Sequence, residues 1–371
     1  MNLPLIVSGL AVGFLFGYVL QHGRFCMNTA FREVLLSRDF TVFRAYILAL
    51  VVLILGANLM DWLGIIHFRF IPFTWVANML GGYIFGIGMV LGGGCATGTL
   101  YRVGEGMIGS WFTALGFMIT AAATLSGFLK PVANFLWYGP GFDPTDPTTA
   151  KFMYFMTNAN GDPVRVSIDH ILGVNRWLII AIIVVGALIF VAKGNFKKPA
   201  SQKGFTWWTT GIMIGLIGII GFYASEVWGG FPRARGLSFT GPLNELATWL
   251  TSSGQAASFK KLATENNADL GGLAKASTLT WSVWMIFGLV LGSLTSALAG
   301  KEFGWRSPKA KSLATQLLGG VMMGFGGSVA GGCNIGHGFT GLSTLALGSL
   351  LSVIFIILGS WTMVYFLFIR E

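Results

Sequence analysis

Nine stretches of this chain, residues 3–20, 45–63, 74–91, 107–128, 176–192, 208–225, 279–299, 312–329 and 342–369, are apolar over close to the length that a helix needs to cross a bilayer. A span takes about 20 apolar residues, and in lipid a helix satisfies every backbone N–H and C=O within its own segment. Composition points the same way. Charged residues make up 10% of 371 positions and hydrophobic residues 54%, where a soluble domain is roughly 25% charged. A soluble fold and a disordered chain are both excluded, since each requires far more polar surface. The 53 glycines follow no Gly-X-Y period, which excludes collagen. The expected fold is all-α: a polytopic membrane protein of about nine transmembrane helices.

Two long polar connections, 129–175 and 226–278, interrupt the runs and carry turn formers, as in YGPGFDPTDP at 138–147. Short interfacial helices are expected there. Basic residues cluster after the first run (Arg32, Arg38, Arg44), after the fifth (Lys193, Lys197, Lys198, Lys203) and after the seventh (Lys301, Arg306, Lys309, Lys311). Lys/Arg excess marks cytoplasmic loops. That places the N-terminus outside and the C-terminus inside. The net charge of +10 then reads first as topology and second as attraction of anions towards a pore mouth, and no nucleic acid is expected as a partner. With three cysteines and no Cys-x-x-Cys, no disulfide framework is expected. No basic residue precedes the first run, so it does not read as a cleavable signal peptide. Walker A, dinucleotide and metalloprotease motifs are missing, so no cofactor, metal or ATP-driven step by this chain alone is expected.

An internal repeat organises the chain. Residues 79–98 read MLGGYIFGIGMVLGGGCATG and residues 317–336 read LLGGVMMGFGGSVAGGCNIG. At a constant offset of 238, Gly81, Gly82, Gly86, Gly88, Gly93, Gly94, Cys95 and Gly98 match Gly319, Gly320, Gly324, Gly326, Gly331, Gly332, Cys333 and Gly336. Gly13, Gly17 and Cys26 repeat the spacing of Gly82, Gly86 and Cys95, so all three cysteines end the same kind of unit. A fourth unit, GFPRARGLSFTG at 230–241, has no cysteine. By the charge pattern the run before Cys95 goes inwards and the run before Cys333 goes outwards. A single membrane domain, 1–371, is therefore expected as an inverted-topology repeat about a pseudo-two-fold axis in the membrane plane, with a site near the midplane. Its first half is 1–128 and its second half 208–371. Between them, 129–207 comprises a periplasmic loop, a linking helix and a cytoplasmic loop.

The glycines have two roles. Gly9, Gly13 and Gly17 are spaced for close helix packing. The clusters Gly92–Gly94 and Gly331–Gly332 weaken a helix and are expected to break it. A short re-entrant helix would follow each break, about four in all, with its N-terminal N–H groups favouring an anion. Cys26, Cys95 and Cys333 would line a substrate pathway as protonated thiols, weak S–H donors suited to a soft terminal sulfur. Arg24, Arg102 and Arg235 sit beside breaks, either as ion-paired residues at the membrane edge or as an anion-attracting vestibule. Glu105 is expected to orient Arg102. His22 and His337 are expected to hydrogen-bond locally. Asn28 and Asn334 are expected to cap the short helices, with lining of the path as the alternative.

Three motifs, GFLFGYVLQHGRFCMNTAFRE (13–33), GGYIFGIGMVLGGGCATGTLYRVGEGMIGSW (81–111) and GGVMMGFGGSVAGGCNIGHGFTGLS (319–343), resemble those of the YeeE/YedE family of bacterial membrane permeases for sulfur compounds. The resemblance spans nearly the whole chain and is stronger to the thiosulfate-uptake branch. The YedE branch, associated with selenium metabolism, has its motifs in permuted order. The resemblance implies nine membrane helices with short re-entrant helices in an hourglass, passage of thiosulfate along Cys26, Cys95 and Cys333, residence in the bacterial inner membrane, and a small TusA-like sulfur carrier as cytoplasmic partner. The 226–278 connection is longer than the first half needs. Alternatives are a permease for selenium or other sulfur compounds, a passive anion channel, or a membrane thiol redox enzyme, which would need two cysteines close enough to pair.

Overall fold

A computed structural model describes residues 3–69, 73–140, 151–154, 156–157, 163–164, 166–194, 204–252 and 279–370. Lys197, Lys198 and Lys203, residues 141–147 of the turn-rich stretch and 253–278 of the long connection lie outside the described residues. The helices are α1 (Leu3–His22), α2 (Met27–Leu36), α3 (Thr41–Trp62), α4 (Trp75–Leu91), α5 (Ala96–Gly104), α6 (Ile108–Leu125), α7 (Lys130–Tyr138), α8 (Ile168–Leu172), α9 (Arg176–Ala192), α10 (Trp207–Val227), α11 (Thr240–Ser252), α12 (Trp281–Ala299), α13 (Ala310–Ala330) and α14 (Leu347–Val364). A further helical segment, 334–343, is wound as a π-helix over Gly336–Gly341. Two-residue strands pair Phe73–Thr74 with Met153–Tyr154 and Met156–Thr157 with Pro163–Val164.

Among the described residues, eight helical segments are long and apolar enough to cross a membrane, and Arg176–Ala192 is a shorter apolar helix. The protein is an all-α, multi-pass membrane protein. Two of the eight segments are composite. Leu3–Leu36 and Trp75–Gly104 each comprise a long helix, a break, and the short helix that follows it. The last apolar run also divides, because residues 342–346 close the π-wound segment and α14 starts only at Leu347.

Glycine sets the packing. A Cβ added to Gly81 would meet the Ala330 nitrogen at 2.5 Å and the Gly326 oxygen at 2.7 Å, and one added to Gly326 would meet the Gly81 oxygen at 2.6 Å. Gly88 and Gly319 face each other in the same way, at 2.8 Å and 2.7 Å from one another's oxygens. Helices α4 and α13 therefore cross antiparallel with backbones in direct contact, the small-residue packing that lipid favours. The repeat equates Gly81 with Gly319 and Gly88 with Gly326, so the Gly81–Gly326 contact becomes Gly319–Gly88 when the halves are exchanged. This reciprocity is the mark of a two-fold axis across the helices.

The flanking pairs obey the same exchange. Gly82 and Gly86 rest on the backbone of α14 at Ser352 and Ile356, while Gly320 and Gly324 rest on α6 at Thr113 and Phe117. Gly13 and Gly17 rest on Met285 and Leu289 of α12, and Gly211 and Gly215 rest on Ala45 and Ala49 of α3. The duplicated sequence is thus an inverted duplicated structure.

Candidate functional site

Each cysteine follows a sharp reversal of the chain. Two positions before it stands a residue in the left-handed region: Arg24 (φ 49), Gly93 (φ 73) and Gly331 (φ 85). Glycine takes this conformation freely, whereas an arginine does so only when its surroundings hold it there. The reversal ends the long helix and leaves the cysteine at or next to the start of the short one. Cys26 caps α2 and Cys95 caps α5, both with extended backbone. Cys333 precedes the 334–343 segment.

The sulfur of Cys95 takes over the cap function usually served by oxygen, accepting the Gly98 N–H at 3.2 Å. It also lies 3.4 Å from Thr97 Oγ1 and 3.4 Å from Cys26 Sγ. Gly98 makes room for this pair: a Cβ there would sit 2.5 Å from Cys26 Sγ and 3.1 Å from Cys95 Sγ. All three cysteines are fully buried and belong to one contiguous buried cluster.

The basic residues beside the breaks are engaged. Arg102 donates through Nη1 to the Gly93 carbonyl and pins the first break. Arg24 donates to Glu105 Oε1 at 2.5 Å and to Glu302 Oε2 at 2.6 Å. Gln21 Nε2 bridges the same two carboxylates at 3.0 Å and 2.8 Å. Glu105 therefore holds Arg24 and Gln21, a correction to the expectation that it orients Arg102, because α5 ends by turning its C-cap carboxylate towards the end of α1. Arg235 lies over the Phe231 ring at 4.0 Å, with Glu245 3.9 Å from its Nη1. Burial holds its pKa below the usual guanidinium value and the charge of Arg69 adds to this, with Glu245 opposing.

His22 stacks on Tyr18 at 5.9 Å and meets Phe205 edge-on at 4.4 Å, so aromatic packing takes the place of the hydrogen bond expected for it. His337 does hydrogen-bond locally, through Nε2 to the Ala330 carbonyl at 3.0 Å and through Nδ1 to Ser349 Oγ at 3.1 Å. A carbonyl can only accept, so Nε2 carries the proton and Nδ1 accepts from the serine. Asn28 and Asn334 are not caps. The reversal sets the register so that the cap position falls on cysteine, and the asparagines enter the first turn. Asn334 is fully buried with neither amide atom hydrogen-bonded, and the Asn28 Oδ1 is likewise unsatisfied.

Comparison with known proteins gives this arrangement a family. A family model described as sulphur transport matches residues 22–362. The chain belongs to the sulphur-transport family. The thiosulfate transporter TsuA of Spirochaeta thermophila is similar to it at 36% identity over 99% of this chain and all of that protein. TsuA of Escherichia coli is similar at 30% over 99% of this chain and 96% of that protein. A probable transporter, YedE of Escherichia coli, matches at 31% over 32% of this chain and 29% of its own length.

Within this sulphur-transport chain, two parts of the site escape a reading of the sequence. Glu302 lies 278 residues from Arg24, and no local spacing links them. Gly98 is one of the repeat identities, but the repeat alone does not show that it seats two sulfurs.

Proposed function

We propose that this protein takes up thiosulfate across the bacterial inner membrane, passing the dianion along the protonated thiols of Cys26, Cys95 and Cys333. The observation that carries the reading is the sulfur pair of Cys26 and Cys95, buried over Gly98 at 3.4 Å, with Cys333 in the equivalent place of the inverted half. A dianion buried without compensation costs several kcal/mol per charge. A single tight site would trap it, so passage needs several moderate sites in succession. S–H groups offered in turn to the terminal sulfur of thiosulfate meet that need, aided by the N-terminal N–H groups of α2, α5 and segment 334–343.

In this reading the N-terminus is periplasmic and the C-terminus cytoplasmic, the halves are 1–128 and 208–371, and Arg235 with Arg69 faces the arriving anion. Arg24, Arg102, Glu105, Asn334 and the two histidines hold the breaks and short helices in place. A TusA-like sulfur carrier receives the product on the cytoplasmic side. The decisive experiment is uptake of labelled thiosulfate into liposomes containing the purified protein, with sulfate as competitor. Cys95→Ala and Cys333→Ala should each abolish uptake while leaving the protein folded. Wild-type uptake by both variants would end the proposal.

The Cys26–Cys95 distance also favours a second reading, a membrane thiol redox enzyme, because these sulfurs are near enough to join. Mild oxidation followed by peptide mass analysis separates the two. An enzyme would form a Cys26–Cys95 disulfide that its substrate then reduces in catalytic amounts. A permease would transport with both thiols reduced throughout.

A further inference from the structure

The fourth unit, 230–241, has no cysteine, yet its backbone repeats the device found at the other three. Gly236 is left-handed at φ 60, as are Arg24, Gly93 and Gly331. Two residues after it stands Ser238, where the other units place Cys26, Cys95 and Cys333, and α11 begins shortly afterwards at Thr240. The surroundings agree. A Cβ on Gly98 would meet Cys26 through Sγ at 2.5 Å and then its Cβ at 3.6 Å. A Cβ on Gly336, the repeat equivalent of Gly98, would meet Ser238 through Oγ at 3.3 Å and then its Cβ at 3.9 Å. Ser238 therefore stands towards Gly336 as Cys26 stands towards Gly98.

Unsatisfied polar atoms lie on the segments that meet here, two residues before Gly336 and two after Ser238. Asn334, beside Cys333, is fully buried with both amide atoms unpartnered. Thr240 Oγ1 and Ser328 Oγ are also buried without partners. Buried polar atoms are nearly always paired, so the unpaired amide of Asn334, two residues before the Gly336 that Ser238 faces, points to a polar guest.

We infer that Ser238 is the fourth station of the pathway, a hydroxyl in the place of a thiol, which with Asn334 binds the oxygen atoms of the anion while Cys333 faces its sulfur. This deepens the thiosulfate reading and rests on it. A hydroxyl and an amide are harder donors than a thiol, so this station recognises an oxyanion as such and leaves discrimination of sulfur to the cysteines.

The test uses the full-length protein in liposomes with three readouts. Ser238→Ala should lower thiosulfate uptake about tenfold, the size of one charge-assisted hydrogen bond, mainly through KM, with thermal stability in detergent unchanged. Ser238→Cys should keep uptake within a few-fold of wild type. It should also add a site for a small charged maleimide, located by peptide mass analysis, whose modification thiosulfate and sulfate both slow. Wild-type uptake by Ser238→Ala, or labelling of Ser238→Cys that neither anion slows, would overturn the inference. A wild-type protein that fails to take up thiosulfate would instead strike the underlying reading, and protection of the Ser238→Cys thiol by sulfate would still report an oxyanion site.

Discussion

The break before Cys95 and the break before Cys333 share a backbone and differ in what locks it. Each turns at a left-handed glycine two residues before the cysteine. The first is pinned by a guanidinium, Arg102 on the Gly93 carbonyl, and lies near the cluster of Arg24, Glu105 and Glu302. The second is pinned by an imidazole, His337 on the Ala330 carbonyl, with Ser349 behind it. Duplication therefore preserved what the main chain requires and left the surrounding chemistry free to diverge. The first break is held by a charged group and the second by neutral ones.

The first way to break this comparison is through the packing that both halves share. A Cβ at Gly86 would lie 2.2 Å from the Ile356 oxygen, and one at its repeat equivalent Gly324 2.5 Å from the Phe117 oxygen. Gly86→Leu and Gly324→Leu should both prevent recovery of monodisperse protein in size-exclusion chromatography. Tolerance of one but not the other would mean that the halves are not structurally equivalent.

The locks should separate next. Arg102→Gln removes a charged donor and should reduce thiosulfate uptake about tenfold or more. His337→Gln retains an N–H able to reach Ala330 and should cost only a few-fold. Equal losses in liposome assays would show that the positive charge at the first break has no special part.

The turns themselves should respond alike. Nothing lies within 4 Å of a Cβ added to Gly93 or Gly331, so Gly93→Ala and Gly331→Ala should each cost only the left-handed penalty of ~1–2 kcal/mol. Matching small drops in melting temperature are expected, and a much larger drop in one would reveal a hidden constraint there.

The smallest effect concerns the charged end. Burial alone would raise the pKa of Glu302, but the Gln21 hydrogen bond and the Arg24 charge, with His22 adding to them, bring it below the usual carboxylate value. Its folded pKa is thus below its unfolded one. Its contribution is present above its unfolded pKa and is lost progressively as pH falls from there through the depressed value. Melting temperature should stay level through mildly acidic pH and then decline, and Glu302→Gln should flatten part of the decline. Glu302 is partly exposed, so the change should be slight.

Much of this was legible in the sequence. The apolar runs gave the helices because a span has a fixed length and a uniform environment. The glycine clusters gave the breaks because consecutive glycines leave a helix little to gain. The identities at offset 238 gave the inverted halves once the charge pattern set their directions. Side-chain partnerships were less accessible. Arg24 reaches Glu302 across the bundle, and periodicity within a helix holds no record of such a meeting. Asn334 misled because asparagine is a good cap in general, whereas here the left-handed turn placed cysteine in that position first. The contact of Cys26 with Cys95 depends on Gly98 lacking a side chain, which becomes evident only when α2 and α5 are seen side by side.

The bare crossing of α4 and α13 has a mechanical consequence. Two bundles that rock past each other need a slippery or compressible layer between them, and here carbonyls and nitrogens of one helix lie against the Cα atoms of the other. A shift of one residue along this seam would drive a side chain into the opposing main chain. The duplicated halves are therefore locked against sliding along this seam.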